Sequence, residues 1–170
     1  PFKGIVQQSP IVQKKLLLEQ QQHRVEELRE SKYVNVLDSH PNITFIQGTA
    51  RFKNKNTLSI QQDDKIEELE VDQVLIATGS SPHIPEIKGL KETSFWTSTE
   101  ALQSDVLPKH LIILGGSIVA VELAQAFLRL GSKVTLLARS TLLSKEDPQI
   151  GVGLQSVFEH EGMRILTHTV

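Results

Sequence analysis

Apolar residues recur at helical spacing in the first part of the chain. Leu17 and Val25 stand among Gln, Glu, Lys and Arg between about residues 11 and 37, and this pattern predicts one long helix. The Ser-Pro pair at residues 9 and 10 suits its start, because a small polar residue caps a helix and proline is tolerated in the first turn. The helix is expected to end before Pro41, since proline disfavours helix at the residue that precedes it.

Short apolar and β-branched runs follow, separated by turn residues such as Asn54 and Asp63. They predict strands at residues 43–47, 50–53, 57–61, 67–71 and 71–77. The prolines and the glycine between residues 80 and 108 predict connecting structure, with a short helix near residues 98–102.

A regular alternation of apolar strands and amphipathic helices begins after Pro108. The pattern predicts strands at residues 110–114, 133–138 and 163–166, with helices at residues 117–130 and 147–161. Gly131 stands where a C-terminal helix glycine belongs. Because strands and helices alternate, we predict an α/β fold with a parallel sheet and right-handed crossovers.

The first strand-to-helix junction of this unit has the sequence GGSIVA at residues 115–120. On the dinucleotide fingerprint, Gly115 would allow the tight turn, Ser117 would let the backbone approach a phosphate, and Ala120 would let the helix pack closely on the strand. The free N–H groups of the helix N-terminus suit a pyrophosphate. A tight turn that binds no ligand is the alternative interpretation.

The end of the next strand indicates which nucleotide is bound. An NAD site usually places an acid about 20 residues after the glycine turn, for the ribose 2′-hydroxyl, but this position is Ala138. Arg139 could make charge-assisted bonds to a 2′-phosphate, and Lys145 could supply a second positive charge. The residues therefore favour NADP(H), with a solvated surface arginine as the alternative.

Composition limits the other function classes. The chain is 39% hydrophobic and 22% charged with a formal net charge of -2, which gives no support to a nucleic-acid partner. No apolar run approaches the roughly 20 residues that cross a bilayer. There is no cysteine, so disulfides, thiolate metal sites and cysteine nucleophiles are excluded within these residues. The six histidines lack ligand-type spacing, and we expect no metal site.

The N-terminal sequence PFKG has neither an initiator Met nor a signal-peptide layout. We therefore expect an internal piece of a longer, cytoplasmic protein.

Several motifs together resemble one enzyme family. The sequence VLIATGSSP at residues 74–82 is similar to the second FAD-domain motif of flavoprotein reductases with two dinucleotide sites, and as in that family it precedes a second dinucleotide fingerprint. The sequences GTARF, FWTSTEAL, ELAQAF, LARSTL and EDP, beginning at residues 48, 95, 122, 137 and 146, resemble the mercuric reductase branch of the class I pyridine nucleotide-disulfide oxidoreductases more than lipoamide or glutathione reductases.

The resemblance implies an FAD site and an NADP(H) site. Ala50 would border the FAD adenine, and Thr78 and Gly79 would lie near the phosphates and ribose of FAD. The glycine turn at residues 115–120 would form the NADP pyrophosphate loop. The basic residues at positions 139 and 145 would bind the 2′-phosphate. Ile118 would lie near the nicotinamide entry, and Glu122 would be a catalytic residue whose acidic side chain reaches towards the nicotinamide side of the flavin.

The resemblance also implies a domain organisation and an activity. Residues 1–90 would belong to an FAD-binding domain, residues 91–108 would connect, and residues 109–170 would begin a Rossmann-type NAD(P)-binding domain. Electrons would pass from NADPH through FAD and a dithiol outside this chain to Hg(II), and a C-terminal domain absent here would form a homodimer. Alternatives are another disulfide or dihydrolipoamide-type reductase, or a non-catalytic dinucleotide-binding module.

Overall fold

The computed structural model describes residues 11–169, and the predicted helix start at residues 9 and 10 lies outside them. The described chain forms two compact units, one of residues 23–83 and one of residues 11–22 and 84–169. Each unit contains its own three-stranded sheet. The predicted α/β class is confirmed, whereas the predicted domain limits stay a prediction.

A long helical stretch opens the described chain, as predicted. Helix α1 is Lys14–Arg29, a π-helical turn follows at Glu30–Val34, and helix α2 is Asn35–Asp38. No side chain of these elements is buried. A π-helical turn contains one residue more per hydrogen-bonded ring than an α-helix, and the polar pattern gave no sign of it.

An antiparallel meander forms the sheet of the first unit. Strands β1 (Thr49–Asn54), β2 (Thr57–Gln62) and β3 (Lys65–Glu70) pair in chain order, which confirms three of the five predicted strands. The β1–β2 turn is tightened by the Asn56 amide, which donates to Asn54 Oδ1 at 2.9 Å. Ile60 on the central strand is the buried residue of this sheet among those described.

Two predicted strands, at residues 43–47 and 71–77, are wrong. Residues 43–47 have no regular secondary structure, and residues 71–77 have none apart from a bend at Asp72. No described strand pairs with either segment. Leu75 and Ile76 are 90% and 69% exposed. A strand exists only through the hydrogen-bond ladder to a neighbour, so apolar, β-branched sequence alone does not create one.

A parallel sheet in the order β4-β5-β6 forms the centre of the second unit. Its elements are β4 (His110–Leu114), α4 (Ile118–Leu130), β5 (Lys133–Leu137), α5 (Pro148–His160) and β6 (Arg164–Leu166), preceded by the short helix α3 (Ser98–Gln103). Both strand pairs are parallel. The predicted βαβαβ alternation is therefore confirmed, to within about one residue at most boundaries.

The core of this unit lies between the sheet and its helices. Ala124 of α4, Leu136 of β5 and Phe158 of α5 are among its most deeply buried side chains. Helix α4 ends at Gly131, which has a left-handed φ of 109° that a residue with a side chain rarely adopts. The predicted helix-ending glycine is thus confirmed, and it turns the chain directly into β5.

An ion pair joins the ends of the two sheet-packed helices. Arg129 on α4 donates from Nε and Nη2 to the two carboxylate oxygens of Glu161, at 3.1 and 2.7 Å, and Gln125 donates to the same carboxylate at 3.0 Å. The hydrogen bonds from Arg129, more than any other influence, hold the pKa of Glu161 below its ordinary value of 4.5.

We expect Glu161→Gln to lower the melting temperature at neutral pH, because the charged bonds to Arg129 are lost. A carboxyl group whose folded pKa is lowered stabilises the fold above its ordinary pKa, and this contribution is lost as the pH falls through the folded value. The difference in melting temperature between wild type and variant should therefore shrink below about pH 4.5. Glu146→Gln is the matched control, since the exposed Glu146 forms no salt bridge within residues 11–169. A difference that persists unchanged at pH 3 would contradict this account.

Candidate functional site

The turn between β4 and α4 has a backbone that requires glycine. Gly115 has a φ of 129°, a region that side chains disfavour. Its amide donates to the carbonyl of Leu137 at 2.8 Å, which continues the β4–β5 ladder into the turn. The chain therefore turns directly at the carboxyl end of β4, as the fingerprint requires.

Ser117 is the N-cap of helix α4. Its backbone is extended (φ -76°, ψ 170°), and its hydroxyl accepts a hydrogen bond from the Ala120 amide at 3.4 Å. Serine is a preferred N-cap residue, so the cap could have been predicted from the sequence, where only the small size of Ser117 was used. The hydroxyl satisfies one of the amides at a helix start that lack intrahelical partners.

The small third fingerprint residue lies against the turn. Ala120 is buried, and a Cβ added at Gly115 would stand 4.0 Å from the Ala120 Cβ, an ordinary van der Waals distance. A larger residue at position 120 would separate the helix from the strand. Ile118 is 55% exposed and Glu122 is also exposed, so both side chains are open to a ligand from the first turns of α4.

The two basic residues lie in the loop that follows β5. Arg139 and Lys145 are exposed, and neither forms a salt bridge within the described part of the chain. Ala138, which precedes them, is 2% exposed. Its amide donates to the Leu166 carbonyl at 2.9 Å, which anchors the start of the loop to β6.

A backbone hydrogen bond joins the glycine turn to this basic loop. The amide of Leu143 donates to the carbonyl of Gly116 at 2.8 Å. The structure thus brings the fingerprint residues and the basic loop together at the carboxyl ends of β4 and β5. In open parallel sheets this edge is where nucleotides bind.

The residues predicted to contact FAD belong to the other unit. Ala50 lies on β1 opposite Ile60, with its side chain exposed. Thr78 and Gly79 lie in the irregular segment after β3. Gly79 has a φ of 76° and no atom within 4 Å of the place where a Cβ would stand, so its backbone is open to close approach. Their role towards FAD stays a prediction.

Two features are absent from residues 11–169. No group of three or more His, Cys, Asp or Glu side chains in that range is placed to hold a metal ion. No helix formed by the described residues has both the length and the apolar character of a membrane span.

Comparison with known proteins agrees with the motifs. A family model described as pyridine nucleotide-disulphide oxidoreductase matches residues 3–170. The chain is 51% identical over 170 residues to a mercuric reductase of Shewanella putrefaciens, covering 99% of this chain and 30% of that protein. It is 52% identical over 171 residues to a mercuric reductase of Shigella flexneri, with the same two coverages.

A solved flavoprotein structure also matches the chain. The HOCl-induced flavoprotein disulfide reductase RclA from Escherichia coli matches with a TM-score of 0.80 and 32% identity, over 90% of this chain and 35% of that one. The chain therefore spans about a third of the length of these relatives. The resemblance inferred from the motifs is confirmed, and the chain belongs to the pyridine nucleotide-disulphide oxidoreductase family.

Proposed function

We propose that this chain supplies the start of the NADP(H) site and part of the FAD site of a flavoenzyme that reduces Hg(II) to Hg(0). One observation gives the main support for the proposed nucleotide site. A glycine turn and a helix N-terminus are bonded, through Leu143 and Gly116, to a loop that exposes two cations. The likeness to mercuric reductases over 99% of the chain supports the reaction.

The turn has the chemistry of a pyrophosphate site. The left-handed Gly115 keeps side-chain atoms away from the turn, and the N-terminus of α4 offers amides and a partial positive charge to an anion. Ser117 both caps the helix and exposes a hydroxyl there. These residues would hold the pyrophosphate of NADP(H).

The basic loop has the chemistry of a 2′-phosphate site. Arg139 and Lys145 would bond the phosphate with charge-assisted hydrogen bonds, which are shorter and stronger than neutral ones. The acid that would repel this phosphate is missing, because its position is the buried Ala138. The loop therefore favours NADP(H) over NAD(H).

Two exposed residues of α4 would face the reactive end of the nucleotide. Ile118 would shield the nicotinamide entry from water, and Glu122 would reach towards the flavin. Ala50, Thr78 and Gly79 would contribute to the FAD site from the first unit, with the open backbone of Gly79 near a phosphate.

The bound cofactors supply the redox chemistry, a two-electron transfer in which NADPH and Hg(II) give NADP⁺, H⁺ and Hg(0). This chain contains no cysteine, so the thiols that hold Hg(II) belong to other parts of the enzyme. The residues of this chain would bind and orient the nucleotide.

We further propose that the complete enzyme is a cytoplasmic homodimer.

A flavoprotein disulfide reductase is the second candidate. The match to RclA at 32% identity favours it, because the same nucleotide site would serve an enzyme whose final acceptor is a disulfide. The two candidates share the path of electrons to the flavin and differ in the acceptor.

Steady-state kinetics of the complete enzyme separates these candidates. We expect NADPH oxidation to depend on Hg(II), supplied as its complex with a small thiol, and to release volatile Hg(0) in equal molar amount. Glutathione disulfide and oxidised lipoamide, at the same concentration, should support little oxidation. Fast turnover of either disulfide without Hg(0) formation from Hg(II) would favour the disulfide reductase instead.

A further inference from the structure

Leu142 lies between two glycines from different elements. It is 1% exposed, in the middle of the loop that carries Arg139 and Lys145. A Cβ added to Gly116, in the turn, would stand 3.4 Å from the Leu142 Cα. A Cβ added to Gly151, on α5, would collide with the Leu142 carbonyl oxygen. The backbone of the loop therefore occupies space that two side chains would otherwise fill.

Further contacts restrain this loop. Leu143 has a left-handed φ of 48°, which is strained for a residue with a branched side chain, and its amide is bonded to Gly116. At the other end of the loop, the Ala138 carbonyl accepts from Thr169 at 3.0 Å. The loop is thus bonded to the turn, to Leu166 of β6 and to Thr169 after it, and it lies against α5.

The two cations stand on either side of Leu142 in the sequence. Arg139 precedes it by three residues and Lys145 follows it by three, so both belong to the short loop whose middle is the buried Leu142. Hydrogen bonds to a phosphate weaken steeply when the donor–acceptor distance or angle departs from its optimum. The position of the Leu142 backbone therefore bears on how well the charges of this loop meet one phosphate.

We propose that Gly151 is a positioning residue for recognition of the nucleotide 2′-phosphate. By lacking a side chain, it lets α5 approach the Leu142 carbonyl and sets the basic loop at the distance from the pyrophosphate turn that suits an NADP-type nucleotide. The proposal rests on the proposed function, because it assigns Gly151 to the NADP(H) site described above. Gly151 itself touches no nucleotide.

The experiment compares Gly151→Ala with Gly153→Ala in the complete enzyme. Gly153 lies on the same helix, is exposed, and has no atom within 4 Å of its Cβ position. Both substitutions raise helix propensity equally, and only the first one meets the loop. The probes are adenosine 2′,5′-bisphosphate and AMP, and binding is measured by isothermal titration calorimetry at low ionic strength.

We expect Gly151→Ala to weaken binding of the bisphosphate by roughly threefold to tenfold, since the charge-assisted bonds are strained but not removed. Binding of AMP should be nearly unchanged, and Gly153→Ala should leave both affinities as in wild type. An equal loss for both probes, or no loss for either, would overturn the proposal. The same holds if Gly153→Ala reproduces the effect.

Two further results separate the possible failures. If wild type binds both probes equally, the NADP preference fails together with this proposal. If wild type prefers the bisphosphate and Gly151→Ala keeps that preference, this proposal alone fails.

If Gly151→Ala loses its near-ultraviolet circular dichroism, the variant is misfolded. The proposal is then tested with Gly116→Ala instead. Its Cβ would press more mildly on the loop, 3.2 Å from Ala138 Cβ and from the Thr141 carbonyl oxygen. A reduced bisphosphate preference then supports the proposal, and an unchanged preference overturns it.

Discussion

Replacing Arg139 with alanine in the complete enzyme should raise the Michaelis constant for NADPH by about tenfold or more and leave that for NADH nearly unchanged. Arg139 is exposed and forms no salt bridge within the part of the chain that the structure describes, so its loss breaks no internal pair. A hydrogen bond to a charged group contributes roughly 1.5–3 kcal/mol, equivalent to about one to two decades in affinity.

Steady-state kinetics with both nucleotides at low ionic strength measures this effect, because salt screens exposed charges. Arg164→Ala is the control, since Arg164 is another exposed arginine of the same unit and lies on β6. It should change neither constant. Equal losses for NADPH and NADH after Arg139→Ala would assign Arg139 to the fold or to the shared part of the nucleotide, and no loss would make it an ordinary surface residue.

The 170-residue chain by itself should produce no Hg(0) from NADPH and Hg(II). It contains no cysteine, whereas reduction of Hg(II) by this route needs a thiol pair that receives electrons from the flavin. Binding of FAD should also be weak, because Thr78 and Gly79 lie in a segment that has no strand partner among residues 11–169.

Mercury vapour detection gives the measurement, with the complete enzyme at the same molar concentration as the positive control. NADPH-dependent release of Hg(0) by the chain alone would contradict the assignment of the thiol chemistry to other parts of the enzyme. Bound FAD is measured by the flavin absorbance that remains after gel filtration. Retention of one FAD per chain would show that the first unit forms a complete flavin site.

The elements of the second unit were predictable because several local signals agree there. The apolar run of β4, the periodicity of α4 and the glycine after it each mark a boundary, and the structure places β4 at His110–Leu114 as expected. The residues at positions 71–77 have the same apolar and β-branched character. They form no strand, because pairing depends on a neighbour that a local pattern does not reveal.

The positions of the candidate site residues along the chain were also predictable, but their contacts were not. The fingerprint positions and Arg139 follow from their spacing after a strand. The contact between the Leu143 amide and Gly116 joins residues far apart in sequence, so it required the structure. Gly151 could not be distinguished from an ordinary helix position, since the sequence does not reveal which atoms lie against a helical glycine.

The parallel sheet has a consequence for how the chain folds during synthesis. Lys133 pairs with His110, and Arg164 pairs with Thr135, so each parallel pairing spans only roughly 20 to 30 residues, and short separations keep the entropy of loop closure low. At about 5 to 20 residues per second on the ribosome, the second strand of each crossover is made roughly one to six seconds after the first. The glycine turn after β4 would therefore acquire its shape early, once β5 has paired with β4 and the Gly115 amide has met Leu137, before the later parts of this unit are complete.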